Sequence, residues 1–355
     1  MENKIYIPKL LIPVAESCNL NCSGCSNFSD YKFKGNVAYN SQYLHYLQEW
    51  FEKIVVGKLE LYGGEPLIYP HIQDFLVEIR KYHKNHLSLI TNATLWNRHK
   101  NLINFFKNDG NSLLRFSIHQ FNNKIIESAI DEVLSIGSWE PLAFTKEATI
   151  IDFEENYNCC KGSTWPSYEN FLKIDVNLFK THPAFDEIYS FNFLDLLKNN
   201  RQAEQYNRNI KKYPVKIQFN KEYNFIFEIT THQKFTKSWQ GNSYYDMKPF
   251  NSDPKKSYEF CAFYDCPVLQ LDGRLYKCPA LSTIKRVLTD HNLQDDKDWE
   301  PYINYRGVGI NDPVEDLLQF KYNYDKAHDV YCKMCPTKEE ADYADIDHYE
   351  NVKNK

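Results

Sequence analysis

Leu10-Leu11-Ile12-Pro13-Val14-Ala15-Glu16-Ser17-Cys18-Asn19-Leu20-Asn21-Cys22-Ser23-Gly24-Cys25 is a strand-length apolar run that leads at once into a cysteine loop. The three thiols stand at C-x3-C-x2-C spacing. A cubane iron–sulfur cluster closed by four thiolates carries electrons. Three thiolates instead leave one iron open to something that is not protein. Zinc favours C-x2-C pairs that come in twos, and no second pair lies near Cys25. Disulfides are not expected, because Met1-Glu2-Asn3-Lys4 lacks the apolar region of a secretory signal.

Lys58-Leu59-Glu60-Leu61-Tyr62-Gly63-Gly64-Glu65-Pro66 reads as a second strand running into a glycine turn. Glycines permit positive φ and close backbone approach, and Glu65 adds an acceptor for a cation. Together the cysteine loop and this turn, one βα unit later, resemble the signature of the radical SAM enzymes. The resemblance implies that Cys18, Cys22 and Cys25 hold a 4Fe–4S cluster whose open iron binds S-adenosylmethionine. It implies that Gly63, Gly64 and Glu65 receive the methionine ammonium, and that reduction cleaves the cofactor to a 5′-deoxyadenosyl radical. The residue before the third cysteine, usually aromatic in that superfamily, is Gly24 here, and Phe28 is the candidate for the missing adenine surface.

The 355 residues suit one large domain or a domain with an appendage. A net charge of −5 without a long basic run argues against nucleic acid. No segment has the apolar length of a membrane helix, so a cytoplasmic protein without a membrane partner is expected. Ten clustered cysteines point to metal.

Strand and helix patterns alternate through the first two-thirds of the chain. Strands are expected over residues 9–15, 58–62, 86–91, 113–119, 143–151 and 214–219. Helices are expected over 42–55, 72–82, 99–107, 123–136 and 193–208. Such alternation implies parallel strands covered by helices, an α/β fold of the partial (β/α)6, TIM-like barrel kind. Active groups of that architecture gather at the C-terminal strand ends, where the cysteine loop, Gly63–Glu65, Thr91, Asn92, Ser117 and His119 fall. The last four are candidates for cofactor or substrate contacts and equally for turn caps.

After residue 225 the pattern changes to hairpin-like segments and polar loops. The sequence divides there into a core, residues 1–225, and an extension, residues 226–355. Asp272-Gly273 between apolar alternating runs is a hairpin turn that swings Cys278 back toward Cys261 or Cys266. The spacing of Cys261, Gly273, Cys278, Cys332 and Cys335 resembles the SPASM and twitch extensions of radical SAM enzymes. That resemblance implies one auxiliary 4Fe–4S cluster on Cys261, Cys278, Cys332 and Cys335, with Cys266 as an exchange ligand. A zinc site drawn from the same cysteines is the rival reading. Cys159-Cys160 follow the fifth expected strand; either thiol is a candidate hydrogen-atom donor, against the plainer reading of two small buried residues.

The resemblance implies hydrogen abstraction from a substrate C–H bond, with flavodoxin or ferredoxin as reductant. An auxiliary cluster suggests net oxidation. The two cysteine motifs also look like a branch associated with glycan biosynthesis, which favours a carbohydrate-type small molecule. Modification of a ribosomally made peptide, by crosslink or epimerisation, and a non-catalytic electron-transfer protein are the alternatives.

Overall fold

The computed structural model describes residues 4–22, 24–28, 41–99, 101–119, 124–135, 140–142, 216–220, 225–231, 237–261, 263, 266–325 and 329–341. In chain order these give β1 (Ile5–Ala15), α1 (Ser41–Lys53), β2 (Ile54–Gly63), α2 (Ile72–Tyr82), β3 (His86–Thr91) and α3 (Leu102–Asn108). Next come β4 (Ser112–Ile118), α4 (Lys124–Leu134), β5 (Glu140–Leu142), β6 (Lys216–Asn220) and β7 (Phe225–Thr231). The C-terminal part adds α5 (Pro254–Phe260), β8 (Val268–Leu269), β9 (Arg274–Tyr276), α6 (Pro279–Asp290), α7 (Glu300–Ile303), β10 (Val308–Gly309) and α8 (Val314–Asp325). The fold is mixed α/β and rich in parallel pairing. Its described residues fall into two compact units, one drawn from 1–88 and 234–345 and the other from 89–233, with the boundary inside β3.

In the first unit the strand order is β10-β9-β8-β1-β2-β3. β1 and β2 run parallel from Ile5↔Ile54 to Ala15↔Gly63, which brings the ends of both strands to the same place. The sequence pattern carried the first helix to residue 55, but α1 stops at Lys53 and β2 starts at once. Ile54-Val55-Val56 explains the early switch, since β-branched side chains fit a pleated strand better than a helix. α2 presents Ile72, Phe75, Leu76 and Ile79 to the core at helical spacing.

The C-terminal segment completes this unit by main-chain pairing. β8 joins β1 in parallel at Leu11↔Val268, and Leu11 N donates to Pro267 O at 2.8 Å. β8 and β9 form the hairpin expected around Asp272-Gly273, with Gly273 at φ +79°. Helix α1 docks on it. Tyr43 Oη donates to Leu269 O at 2.7 Å and Trp50 Nε1 to Gly273 O at 2.8 Å. A second core of Trp239, Met247, Leu281, Ile284, Val287, Trp299 and Met334 lies beneath α6.

In the second unit the order is β4-β7-β6-β5. Here the chain departs from regular βα alternation. β6, expected as a parallel barrel strand, pairs antiparallel with both β5 and β7, and β7 is the strand running parallel to β4. The alternating Phe225-Ile226-Phe227-Glu228-Ile229 run forms that inner strand, and Phe227 meets Phe116 edge-on with centroids 4.9 Å apart. The strand expected over residues 143–151 and the helix over 193–208 lie outside the described residues. No described helix is long and apolar enough to cross a membrane.

Candidate functional site

At the shared end of β1 and β2 the chain makes two backbone bonds that join the motifs. Gly64 N donates to Ala15 O at 2.7 Å, and Glu65 N donates to Ser17 O at 2.9 Å. A Cβ on Gly63 would stand 2.2 Å from Ala15 O, and one on Gly64 2.1 Å from Ser17 O. The approach these glycines permit is therefore to the backbone just ahead of Cys18, and Gly63 also needs its φ of +135°. Asn27 Nδ2 donates to Gly63 O at 3.1 Å from the other end of the loop.

The loop is a succession of turns. Leu20 N donates to Cys18 Sγ at 3.4 Å, Cys25 N to Cys22 O at 3.3 Å, and Phe28 N to Cys25 O at 2.9 Å. Cys22 is buried, while Cys18 and Cys25 are partly exposed. Phe28, the candidate adenine surface, is 1% exposed and belongs to the core beneath α6, 6.4 Å from the Tyr244 ring. Its packing anchors the loop. Glu65 is also buried, and its Oε1 accepts from Leu67 N at 2.9 Å, capping a 3-10 turn over Pro66–Ile68.

A small open pocket of about 10 Å3, room for about one water, adjoins this cradle, lined by Pro13, Glu16, Asn27, Tyr62, Gly63, Gly64, Gln270 and Thr283. Glu16 pairs with Arg286 on α6. Burial raises the Glu16 carboxyl pKa, and the guanidinium works against that rise. The Tyr62 hydroxyl is pushed well above its ordinary pKa by burial, and the nearby Cys266, Cys278 and Cys25 thiols push in the same direction.

The C-terminal cysteines arrive from different elements. Cys261 caps the C-terminus of α5, Cys278 stands at the N-cap of α6 ahead of Pro279, Cys332 lies within a 3-10 turn over Val330–Met334, and Cys335 caps that turn. Ser257 Oγ of α5 donates to Cys335 O at 2.9 Å, which ties that turn to the helix. The four thiols interact. Burial lifts Cys261 and Cys278 to about 12 and raises Cys332 and Cys335, and each of the others adds to Cys335. Such thiols stay protonated unless a cation displaces the proton. Among the described residues, no three Cys, His, Asp or Glu side chains are grouped to hold one metal ion. Cys266 is buried, and its N donates to Phe263 O at 3.2 Å two residues ahead of β8.

The remaining candidates lie in the second unit. Thr91 Oγ1 accepts from Ala93 N, and Asn92 Oδ1 accepts from Thr94 N, both at 3.0 Å. These side chains cap the turn after β3. Ser117 and His119 are buried at the end of β4. Cys159 and Cys160 lie outside the described residues. Tyr62, Asn27 and Arg286 were missed in the sequence; Tyr62 alone carried a signal, as the residue before the glycine turn.

Residues 12–149 match the Radical SAM superfamily. The matched segment contains the three-cysteine loop, Gly63–Glu65, Thr91-Asn92, Ser117 and His119. No curated protein sequence matches the chain. Similar solved structures include hexahistidine-tagged anSMEcpe with bound AdoMet, 17% identical over 37% of this chain and 40% of that one, with TM-score 0.28. Streptococcus suis SuiB bound to S-adenosylmethionine is 16% identical over 84% of this chain and 68% of that one, with TM-score 0.37. Native anSMEcpe with bound AdoMet and Cp18Cys peptide is 12% identical over 91% and 98%, with TM-score 0.33.

Proposed function

We propose that this chain is a radical SAM enzyme, built as a partial (β/α)6 barrel core over residues 1–225 with a twitch-like extension over 226–355. The pair of bonds from Gly64 N and Glu65 N to Ala15 O and Ser17 O carries the reading, because it fixes the cofactor-turn motif against the cysteine loop. The donor set fits an iron–sulfur cluster with one open iron: three thiols on one loop, a small open pocket beside it, and no fourth protein ligand required by the motif. When bound, that cluster and S-adenosylmethionine supply the 5′-deoxyadenosyl radical that removes a substrate hydrogen.

The chain's own part is holding and orienting. Cys18, Cys22 and Cys25 hold the first cluster, Gly63 and Gly64 shape the cradle, and Glu65 accepts the cofactor's ammonium. Asn27, Tyr62, Gln270 and Thr283 present amide and hydroxyl groups to the small pocket. Cys261, Cys278, Cys332 and Cys335 hold an auxiliary 4Fe–4S cluster, supported by their burial and mutual interaction; Cys266 is the spare thiol. The reaction on this reading is oxidation of a carbohydrate-type small molecule, resting on the likeness of the two cysteine motifs to a glycan-linked branch, with flavodoxin or ferredoxin as reductant.

The test is anaerobic. Reconstituted protein reduced with dithionite and given S-adenosylmethionine releases 5′-deoxyadenosine, and Cys22→Ala does not. A parent protein that binds iron yet releases none of this nucleoside is an electron carrier, and the enzyme reading falls.

A further inference from the structure

Lys277 immediately precedes Cys278, and its side chain is only 9% exposed. Its Nζ donates to Asp329 Oδ2 at 2.7 Å, and the Cys332 thiol donates to the other oxygen of that carboxylate, Oδ1, at 3.9 Å. Its charge also reaches Cys261 and Cys278. The surroundings hold it in place. Lys277 N donates to Tyr305 Oη at 3.1 Å, and the ammonium sits 6.0 Å from the centre of the Tyr258 ring. Asp329 is fixed in turn, because its Oδ1 accepts from Tyr331 N at 2.9 Å and caps the turn that carries Cys332. A lysine and an aspartate 52 residues apart thus meet beside a thiol of the C-terminal cysteine group.

We propose that Lys277 is a positioning residue that raises the reduction potential of the iron–sulfur site on Cys261, Cys278, Cys332 and Cys335, by balancing the Asp329 carboxylate that stands against the Cys332 sulfur. The inference rests on the auxiliary-cluster reading. One-electron reduction adds a negative charge to such a site, and a buried cation that neutralises the carboxylate beside a ligand sulfur favours the more negative state. Low solvent exposure strengthens that preference, since less water is present to screen the charge. A lysine merely filling a surface ion pair would contribute little. This one is enclosed and paired with the carboxylate that the Cys332 thiol meets.

The experiment uses full-length protein with Cys18, Cys22 and Cys25 changed to Ala, so that only the C-terminal site can bind iron. Iron content and the visible spectrum come first; midpoints then follow from anaerobic dithionite titration read by electron paramagnetic resonance. Lys277→Met loads iron like the parent and titrates at a more negative potential, about a tenfold loss in the reduced-to-oxidised ratio at fixed potential, or about 59 mV. Lys277→Arg keeps the charge and titrates near the parent. Asp329→Asn, which leaves the ammonium without its counter-charge, titrates more positive and serves if Lys277→Met fails to load iron. An iron-loaded parent whose midpoint is unmoved in all three variants overturns this inference alone. A parent without iron at the C-terminal site overturns the auxiliary-cluster reading, and this inference with it.

Discussion

Gly64 is a sharp test of the cradle at the scale of one residue. A methyl there meets Ser17 O at 2.1 Å, and backbone cannot step aside as a flexible side chain can. Gly64→Ala is expected to lose about 1–3 kcal/mol of stability and to load less iron at the first loop. Gly110→Ala is the control, since its added methyl meets nothing within 4 Å, and it should change stability by less than about 0.5 kcal/mol. Denaturant midpoints and iron assays on both variants decide the matter. Equal behaviour would mean that the loop does not depend on the close contact. Glu16 gives a pH test. Burial raises its folded pKa above the ordinary carboxylate value of 4.5, so stability associated with it falls as pH climbs from that value through the raised one. Arg286 limits the rise. Arg286→Met should therefore match the parent most closely near pH 4 and fall behind as the pH approaches about 7, read from denaturation of metal-free protein at several pH values. A deficit constant across pH would assign the arginine to packing alone.

Among the elements, α1 and the β8–β9 hairpin depend on one another across more than 200 residues of sequence. Trp50 is 1% exposed and donates from Nε1 to Gly273 O. Trp50→Phe keeps an aromatic ring but leaves that carbonyl without its indole partner, a loss of about 1–3 kcal/mol. The measurement is the urea midpoint with the slope unchanged, and a wild-type midpoint would remove the docking argument. The hairpin itself was legible because Asp272-Gly273 is local turn chemistry. Its seat on Tyr43 and Trp50 was not, since no periodicity records which distant carbonyl an indole will meet. β7 is a similar case: Phe225–Thr231 has strand character, yet its choice of β4 as parallel neighbour is tertiary. The early end of α1 shows local preference decided by β-branched residues that a hydrophobic count reads as more helix.

For the whole molecule, the legible part of the candidate site is the part written at fixed short spacing. Cys18-x3-Cys22-x2-Cys25 and Gly63-Gly64-Glu65 can be read directly, and the register Ala15↔Gly63 then brings the two motifs together. The Lys277–Asp329 pair and the anchoring of Phe28 beneath α6 required the fold. Both cysteine groups belong to one compact unit. Metal should therefore stabilise this unit from two places, because a ligand that binds only the folded chain shifts unfolding in proportion to its binding free energy. Three proteins separate the contributions: the parent, the Cys18/Cys22/Cys25→Ala variant, and the Cys261/Cys278/Cys332/Cys335→Ala variant. The parent should carry two clusters' worth of iron and each variant one. The melting temperature should fall in each variant and furthest on chelation of the parent. 5′-Deoxyadenosine release should survive in the second variant and vanish in the first.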